Sequence, residues 1–272
     1  MLLLHGNGGS GRDWNTVIPA LAARHRVIST DLPGYGNSDA LPDSSLESLG
    51  RFVWSFATAL GIDRPILMGH SFGGLIAVHA ALAAQRRVAK LILVSSAGLG
   101  REVRLMQIIA ATTPLGRLVV AASLLPGGSF VRTVELAIAT ARQPWRIPPS
   151  WWTYQLRLGK SRRTLDMTRA AFERCIGPFG QVCLVNERLK ELNVPTLVIW
   201  GLLDTLVPWW HAPAAARRLP RGQWRLLPFS GHLPHVDTAE EFLRVIAPFL
   251  DEEPTADELA DAKPVGAASG AV

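Results

Sequence analysis

Only two cysteines, Cys175 and Cys183, occur in 272 residues, too few for a disulfide framework. Nothing near them has metal-ligand spacing, so free buried thiols in a reducing compartment are expected, with no metal site and no cofactor. Charged residues are also scarce at 18%, while 48% of the chain is apolar. That balance excludes disorder, and the length suffices for a sizeable core. Long hydrophobic runs are missing. The most apolar window, Leu105 to Pro126, is broken by Thr112, Thr113, Pro114, Gly116 and Arg117 and falls short of a membrane span. The opening Met1-Leu2-Leu3-Leu4-His5-Gly6 has no basic leader and does not read as a signal peptide. A cytoplasmic protein without stable membrane insertion is expected.

Acidic residues are the minority, 22 against 28 Lys plus Arg, for a net charge of +6. Residues 101 to 190 hold 14 basic and 5 acidic side chains, so this stretch carries +9 and the remainder −3. A basic excess confined to one internal segment does not suggest a nucleic-acid partner. Arginines on solvated helix faces account for it, with attraction of an anionic substrate or membrane surface as the sharper reading.

Within this composition, short β-rich runs alternate with helical ones. Strands are expected at Arg26–Thr30, Pro65–Met68, Lys90–Val94, Pro195–Trp200 and Trp224–Pro228. Helices are expected at Leu46–Leu60, Leu75–Ala84, near Ala212–Leu219 and at Ala239–Leu250. Strand, helix, strand in this rhythm implies right-handed crossovers and a parallel sheet covered on both faces. From Gly98 to about Leu192 the rhythm breaks into Pro- and Gly-punctuated helical patterns without a convincing strand. The chain thus divides into core at 1–97, a helical insert at 98–192, core again at 193–250 and a frayed tail at 251–272.

The sharpest motif is Gly69-His70-Ser71-Phe72-Gly73-Gly74, between an expected strand and helix. A serine at such a turn is forced into a strained conformation, and the flanking glycines let strand and helix approach. Its hydroxyl then stands above the sheet beside a helix N-terminus. Upstream, Leu2 to Gly9 is an apolar strand opening into a glycine-rich loop that can aim a backbone N–H at an oxyanion. The Asn7 N–H is the most plausible donor there, with the Phe72 N–H as the second. Downstream, Asp204 follows the strand at 195–200, and His232 lies in the loop after the last strand. In the order Ser, Asp, His, all three can converge on one edge of a parallel sheet.

These motifs resemble the α/β-hydrolase superfamily, specifically its lid-bearing, epoxide-hydrolase-like branch. The resemblance covers about 5 to 250 and rests on His5-Gly6-Asn7-Gly8-Gly9, Asp31 to Ser38, the Ser71 turn, Gly201 to Pro208 and Gly231-His232-Leu233-Pro234-His235. It implies a mostly parallel twisted sheet with helices on both faces and a helical lid. It also implies Ser71 as nucleophile, His232 as general base and Asp204 as the acid orienting it. Asp31 is structural in this reading. After Val94 the sequence reads Ser95-Ser96-Ala97, so no carboxylate competes with Asp204 there. Members carry two strands before the His-Gly loop, so the first two strands are expected to be missing here, leaving an exposed edge at Arg26–Thr30.

A serine nucleophile restricts the chemistry. Relatives that open epoxides or displace halide attack saturated carbon with a carboxylate; a serine would leave an ether this machinery cannot hydrolyse. Asn7, Tyr154 and Trp151-Trp152 suit those branches, but acyl transfer is the expectation. The substrate is expected to be a small, largely apolar ester, lactone or thioester. Carbon–carbon hydrolysis of ring-cleavage diketo acids is the alternative, although Asn7-Gly8-Gly9 and Leu233 depart from that branch's pattern. A ligand receptor on the same fold is the alternative from another class. Among the other histidines, His5 and His70 are expected to brace their turns, and His235 to stand behind the catalytic residues or be partly exposed. His25, His79 and His211 read as ordinary surface or helix residues. Most lid apolar residues, Leu105, Leu118, Val131 and Ile138 among them, are expected to pack lid on sheet.

Overall fold

The computed structural model describes residues 1–253. Six parallel strands, β1 (Leu2–Leu4), β2 (Ile28–Thr30), β3 (Ile66–His70), β4 (Lys90–Val94), β7 (Thr196–Gly201) and β8 (Gly222–Leu227), lie in the order β2-β1-β3-β4-β7-β8. The edge strands are β2 and β8. The four inner strands are near-continuous apolar runs, as burial on both faces demands.

Alternate residues serve opposite faces. Leu2, Leu4, Leu67, Leu91 and Val198 join the core built with α2 (Leu46–Ala59) and α3 (Phe72–Ala83). Leu3, Met68, Ile92, Leu197 and Ile199 join the other, where α11 (Ala239–Asp251) contributes Phe242, Ile246 and Phe249 at helical spacing. The helix α2 starts where the Ser45 side chain accepts from the Ser48 N–H, and it lies close on α3, with Trp54 Nε1 donating to the Ala80 carbonyl at 2.8 Å. Short helices α1 (Ile18–Ala22), α9 (His211–Ala216) and α10 (Pro234–Asp237) complete the core.

Between β4 and β7 the chain leaves the sheet through α4 (Leu105–Thr112), α5 (Leu115–Ser123), α6 (Gly128–Thr140), α7 (Pro149–Leu158) and α8 (Arg162–Cys175). Contrary to the expectation of no strand here, an antiparallel pair follows, β5 (Ile176–Gly177) with β6 (Gly180–Gln181). Two-residue strands are too short to show a period. Free Cys175 is buried and free Cys183 half-buried at its ends.

The expectation that most lid apolar residues pack on the sheet is overturned. Leu105, Met106, Leu118, Val119, Leu124, Leu125, Val131 and Ile138 are exposed, and of the large residues expected to pack, Trp151 is buried. The lid helices turn small residues inward instead, Gly116, Val120 and Ser123 on α5 and Ser129, Thr133, Ala137 and Thr140 on α6. Small side chains allow close helix approach, which leaves the bulky ones outside.

Two histidines are more buried than surface positions would be, His235 in the place behind His70 and His232 that is one of its two expected settings. His211 is buried, with Nε2 2.7 Å from Glu102 Oε2, and ties α9 to the base of the lid. His235 is wholly buried and stacks on Trp14, ring centroids 4.2 Å apart. The tail expected at 251–272 falls, from 254 onward, outside the described residues.

Candidate active site

The helix α3 begins at Phe72, three residues earlier than its apolar pattern indicates, so Ser71 is the sole link between β3 and α3. Its backbone sits at φ 50° and ψ −115°, a region costly to any residue with a Cβ. The turn closes because its neighbours have no side chains. A Cβ on Gly73 would stand 2.4 Å from the His5 carbonyl oxygen, and one on Gly69 2.4 Å from that of Gly73.

Across the sheet edge, His232 Nε2 lies 3.0 Å from Ser71 Oγ, and its Nδ1 2.7 Å from Asp204 Oδ2. A carboxylate can only accept, so the imidazole proton is held on Nδ1 and Nε2 is left to accept from the serine hydroxyl. Asp204 is fixed in turn, Oδ1 accepting from the N–H groups of Leu206 and Val207 at 2.8 and 3.1 Å. The histidine loop packs on β7 where a Cβ on Gly201 would meet the Gly231 and Ser230 carbonyls at 2.0 and 2.4 Å. The His232 N–H donates to the Thr140 carbonyl at the end of α6, at 2.6 Å, so the insert helps set the loop that carries His232. The structure thus brings together Ser71, Asp204 and His232.

Asn7, in the loop after β1, lines the same cavity as Ser71, and Phe72 takes the first position of α3. The Asn7 side chain is bound at both ends, Nδ2 donating to the Thr168 carbonyl of α8 at 3.0 Å and Oδ1 accepting from the Tyr35 hydroxyl at 2.7 Å. Asp31 is structural and remote from this chemistry, its carboxylate accepting from the Gly11 and Asn37 N–H groups, each at 2.8 Å. His5 braces its turn, Nδ1 against the Gly6 carbonyl and Nε2 accepting from the Leu32 N–H. His70 Nε2 lies 2.8 Å from the His232 carbonyl. Burial lowers the pKa of His5 to about 4 and of His235 to about 3, and drives that of His70 well down, so all three imidazoles are neutral.

A cavity of about 100 Å³ over Ser71 and His232 is walled by the glycine-rich loop after β1 and by Trp151, Gln155 and Phe172 of the helical insert. Trp151 therefore faces the reacting groups, whereas Tyr154 lies under the Arg12 guanidinium at 4.8 Å. Asn7, Gln107, Leu136, Phe172 and Leu206 also line a second cavity of about 240 Å³ among the lid helices. Asp13 borders the smaller cavity. Burial raises its pKa to about 6 despite the Ser10 N–H and Gln155 amide that donate to it. Sequence reasoning missed Thr140, Thr168, Asp13 and Gln155, whose contributions are long-range contacts without a local motif. Among the described residues no His, Cys, Asp and Glu cluster could hold a metal ion.

Comparison with known proteins agrees with this fold. A family model described as alpha/beta hydrolase fold matches residues 1–239. Pimeloyl-acyl-carrier-protein methyl ester esterase of Aeromonas hydrophila is 31% identical over 92% of this chain and 94% of its own. A 2-hydroxy-6-oxo-6-phenylhexa-2,4-dienoate hydrolase of Burkholderia cepacia is 28% identical over 92% and 87%. Among solved structures, a meta-cleavage product hydrolase from Pseudomonas fluorescens IP01 superposes with a TM-score of 0.75 at 23% identity, over 92% of this chain and 89% of that one, a likeness of fold. With its parallel sheet, its serine turn and a family match over most of its length, the chain belongs to the α/β-hydrolase fold family.

Proposed function

We propose that this protein is a serine hydrolase acting through an acyl-enzyme on a small, largely apolar carboxylic ester, lactone or thioester. The observation that carries the reading is the unbroken chain Ser71 Oγ, His232, Asp204, with contacts of 3.0 and 2.7 Å. In it, Ser71 Oγ attacks the carbonyl carbon while His232 Nε2 takes its proton. The oxyanion is received by the N–H groups of Asn7 and Phe72, the latter at the positive end of α3. The tetrahedral intermediate collapses, and the leaving oxygen or sulfur takes the proton back from His232. A water then attacks the acyl-enzyme by the same route, releasing the acid and restoring Ser71. No cofactor enters these steps, the partner is a small-molecule substrate, and a cytoplasmic setting suits them.

Carbon–carbon hydrolysis is the second reading, favoured by the Burkholderia cepacia relative at 28% identity. It uses the same serine and histidine, so profiling esters, lactones and ring-cleavage diketo acids side by side separates the two. Ser71→Ala should lower ester kcat by about 10⁴-fold or more and abolish labelling by a fluorophosphonate. Undiminished turnover in that variant overturns the mechanism. Labelling of Ser71 with no turnover across the panel would instead indicate a ligand receptor.

A further inference from the structure

Most lid arginines are solvated or paired, as Arg162 with Asp166, Arg169 with Glu173 and Arg188 with Glu191. Arg132 on α6 is half-buried and, among the described residues, has no ion pair. It lines the 240 Å³ cavity, and its Nη1 is shut off from solvent without a hydrogen-bond partner. Among the described residues no carboxylate pairs with it; Glu135, one turn along, is exposed and acts on it only through space. Burial lowers its pKa, yet a guanidinium does not lose its proton in a protein. A partly buried cation without a direct counter-ion is destabilising, and Glu135, which lines the same cavity and offsets it only through space, does not supply one.

Its position indicates what does. Arg132 Nη2 lies 3.3 Å from the point where a Cβ on Gly8 would stand, so the absent side chain is what admits the guanidinium. Gly8 adjoins Asn7 in the oxyanion loop and borders the smaller cavity over Ser71, while Arg132 borders the larger one. The cation therefore stands where the two cavities meet. Beyond it the larger cavity is mainly apolar, with Leu115, Val120, Leu165 and Phe172 in its walls and Arg104, Glu135 and the Glu173-paired Arg169 as its other charged residues. A molecule with its carbonyl at Ser71 and its body in the larger cavity passes the guanidinium on the way.

We propose that Arg132 binds a carboxylate carried by the substrate itself, so that the enzyme selects anionic esters, such as half-esters of dicarboxylic acids, over neutral ones of equal length. This rests on the serine hydrolase reading and narrows its substrate class. The bound carboxylate completes the ion pair that Arg132 lacks and holds the ester carbonyl near Ser71, with no change in the bonds made and broken.

The test compares kcat/KM for matched pairs. Monomethyl succinate, glutarate and adipate against neutral methyl esters put the charge on the acyl side; 4-acetoxybutyrate against butyl acetate puts it on the leaving group. Wild type should prefer the anion in one arm by about tenfold to a hundredfold, the strength of a charge-assisted contact. Arg132→Met should collapse that ratio, and Arg132→Lys should keep part of it. Glutarate should also raise the Tm of wild type and of Ser71→Ala, but not of Arg132→Met, a readout independent of turnover. Arg132→Met should melt no lower than wild type, since a half-buried unpaired charge is removed; if it misfolds, Arg132→Gln carries the test. Ratios near one in both arms, or unchanged in the variants, overturn the inference and leave the triad standing. No turnover of any ester, charged or neutral, by wild type strikes the hydrolase reading, and the glutarate shift still decides the carboxylate site.

Discussion

Asn7 of the oxyanion loop donates its side-chain amide to the Thr168 carbonyl on α8, across 161 residues of chain and 3.0 Å of space. The Tyr35 hydroxyl donates to the other end of the same side chain at 2.7 Å. A backbone donor is useful only while its loop is held, so the lid and the loop after β2 together fix the direction of the Asn7 N–H. Asn7→Ala is expected to lower kcat by about tenfold, a fraction of the cost of deleting an oxyanion donor outright. Tyr35→Phe should lower it less, since the Thr168 bond remains. The double variant should be no worse than Asn7→Ala, because both act on one tether; steady-state kinetics in a double-mutant cycle measures this.

A second prediction concerns the strain at Ser71. Glycine tolerates the φ of 50° that any side chain makes costly. Ser71→Gly and Ser71→Ala should both be inactive, yet the glycine variant should be more stable, by about 1 kcal/mol or more. Urea titration of the two variants reads the difference; equal midpoints would show that the turn is not strained.

The serine turn was legible in the sequence because its requirements are local: an apolar strand, a serine and glycines at fixed offsets. Asp204 and His232 were legible by chain order, each just beyond a strand of a parallel sheet. The lid was less so. Leu118 and Val131 fit an amphipathic pattern, but apolar periodicity does not say that the inward face will be the one bearing Gly116, Thr133 and Ala137. The full burial of His211 and His235 was not legible for a related reason. Their burial depends on Glu102 and Trp14, residues more than 100 positions away.

A third prediction is pH dependence of stability. Folding holds His235 near a pKa of about 3 and His5 near 4, against 6.5 for the free side chain. Between these values the unfolded chain binds more protons than the folded one. The stabilisation is therefore complete above about pH 6.5 and is lost as pH falls toward 4 and 3. Asp13 works the other way. Its pKa, raised from 3.8 to about 6, makes the folded state the better proton binder in that window, so its contribution falls as pH rises through it. The histidines outnumber it, and acid should unfold the protein. His235→Phe keeps the stack on Trp14 and loses no ring hydrogen bond, since neither ring nitrogen has a partner. Its stability should vary less steeply between pH 4 and 6, by about 1.4 kcal/mol per pH unit, the slope of one proton. Urea titrations at several pH values test it, and an unchanged slope would mean that His235 is not buried neutral.

A fourth prediction separates the charge of Asp204 from the packing beneath it. Asp204→Asn keeps shape and can keep an acceptor for the Leu206 and Val207 N–H groups, but it no longer fixes the His232 proton on Nδ1. It should lower kcat by about 10⁴-fold with little change in Tm. Gly201→Ala leaves all three catalytic side chains in place and introduces a Cβ that would lie 2.0 Å from the Gly231 carbonyl. The loop carrying His232 must then move off β7, although the Thr140 carbonyl holds it from the lid side. Gly201→Ala should therefore lose both activity and stability, by about 1–3 kcal/mol as overpacked sites do. Thermal melts beside kinetics on the same two proteins distinguish the cases. A Gly201→Ala enzyme with wild-type Tm and kcat would mean that the β7 contact does not set the position of the histidine.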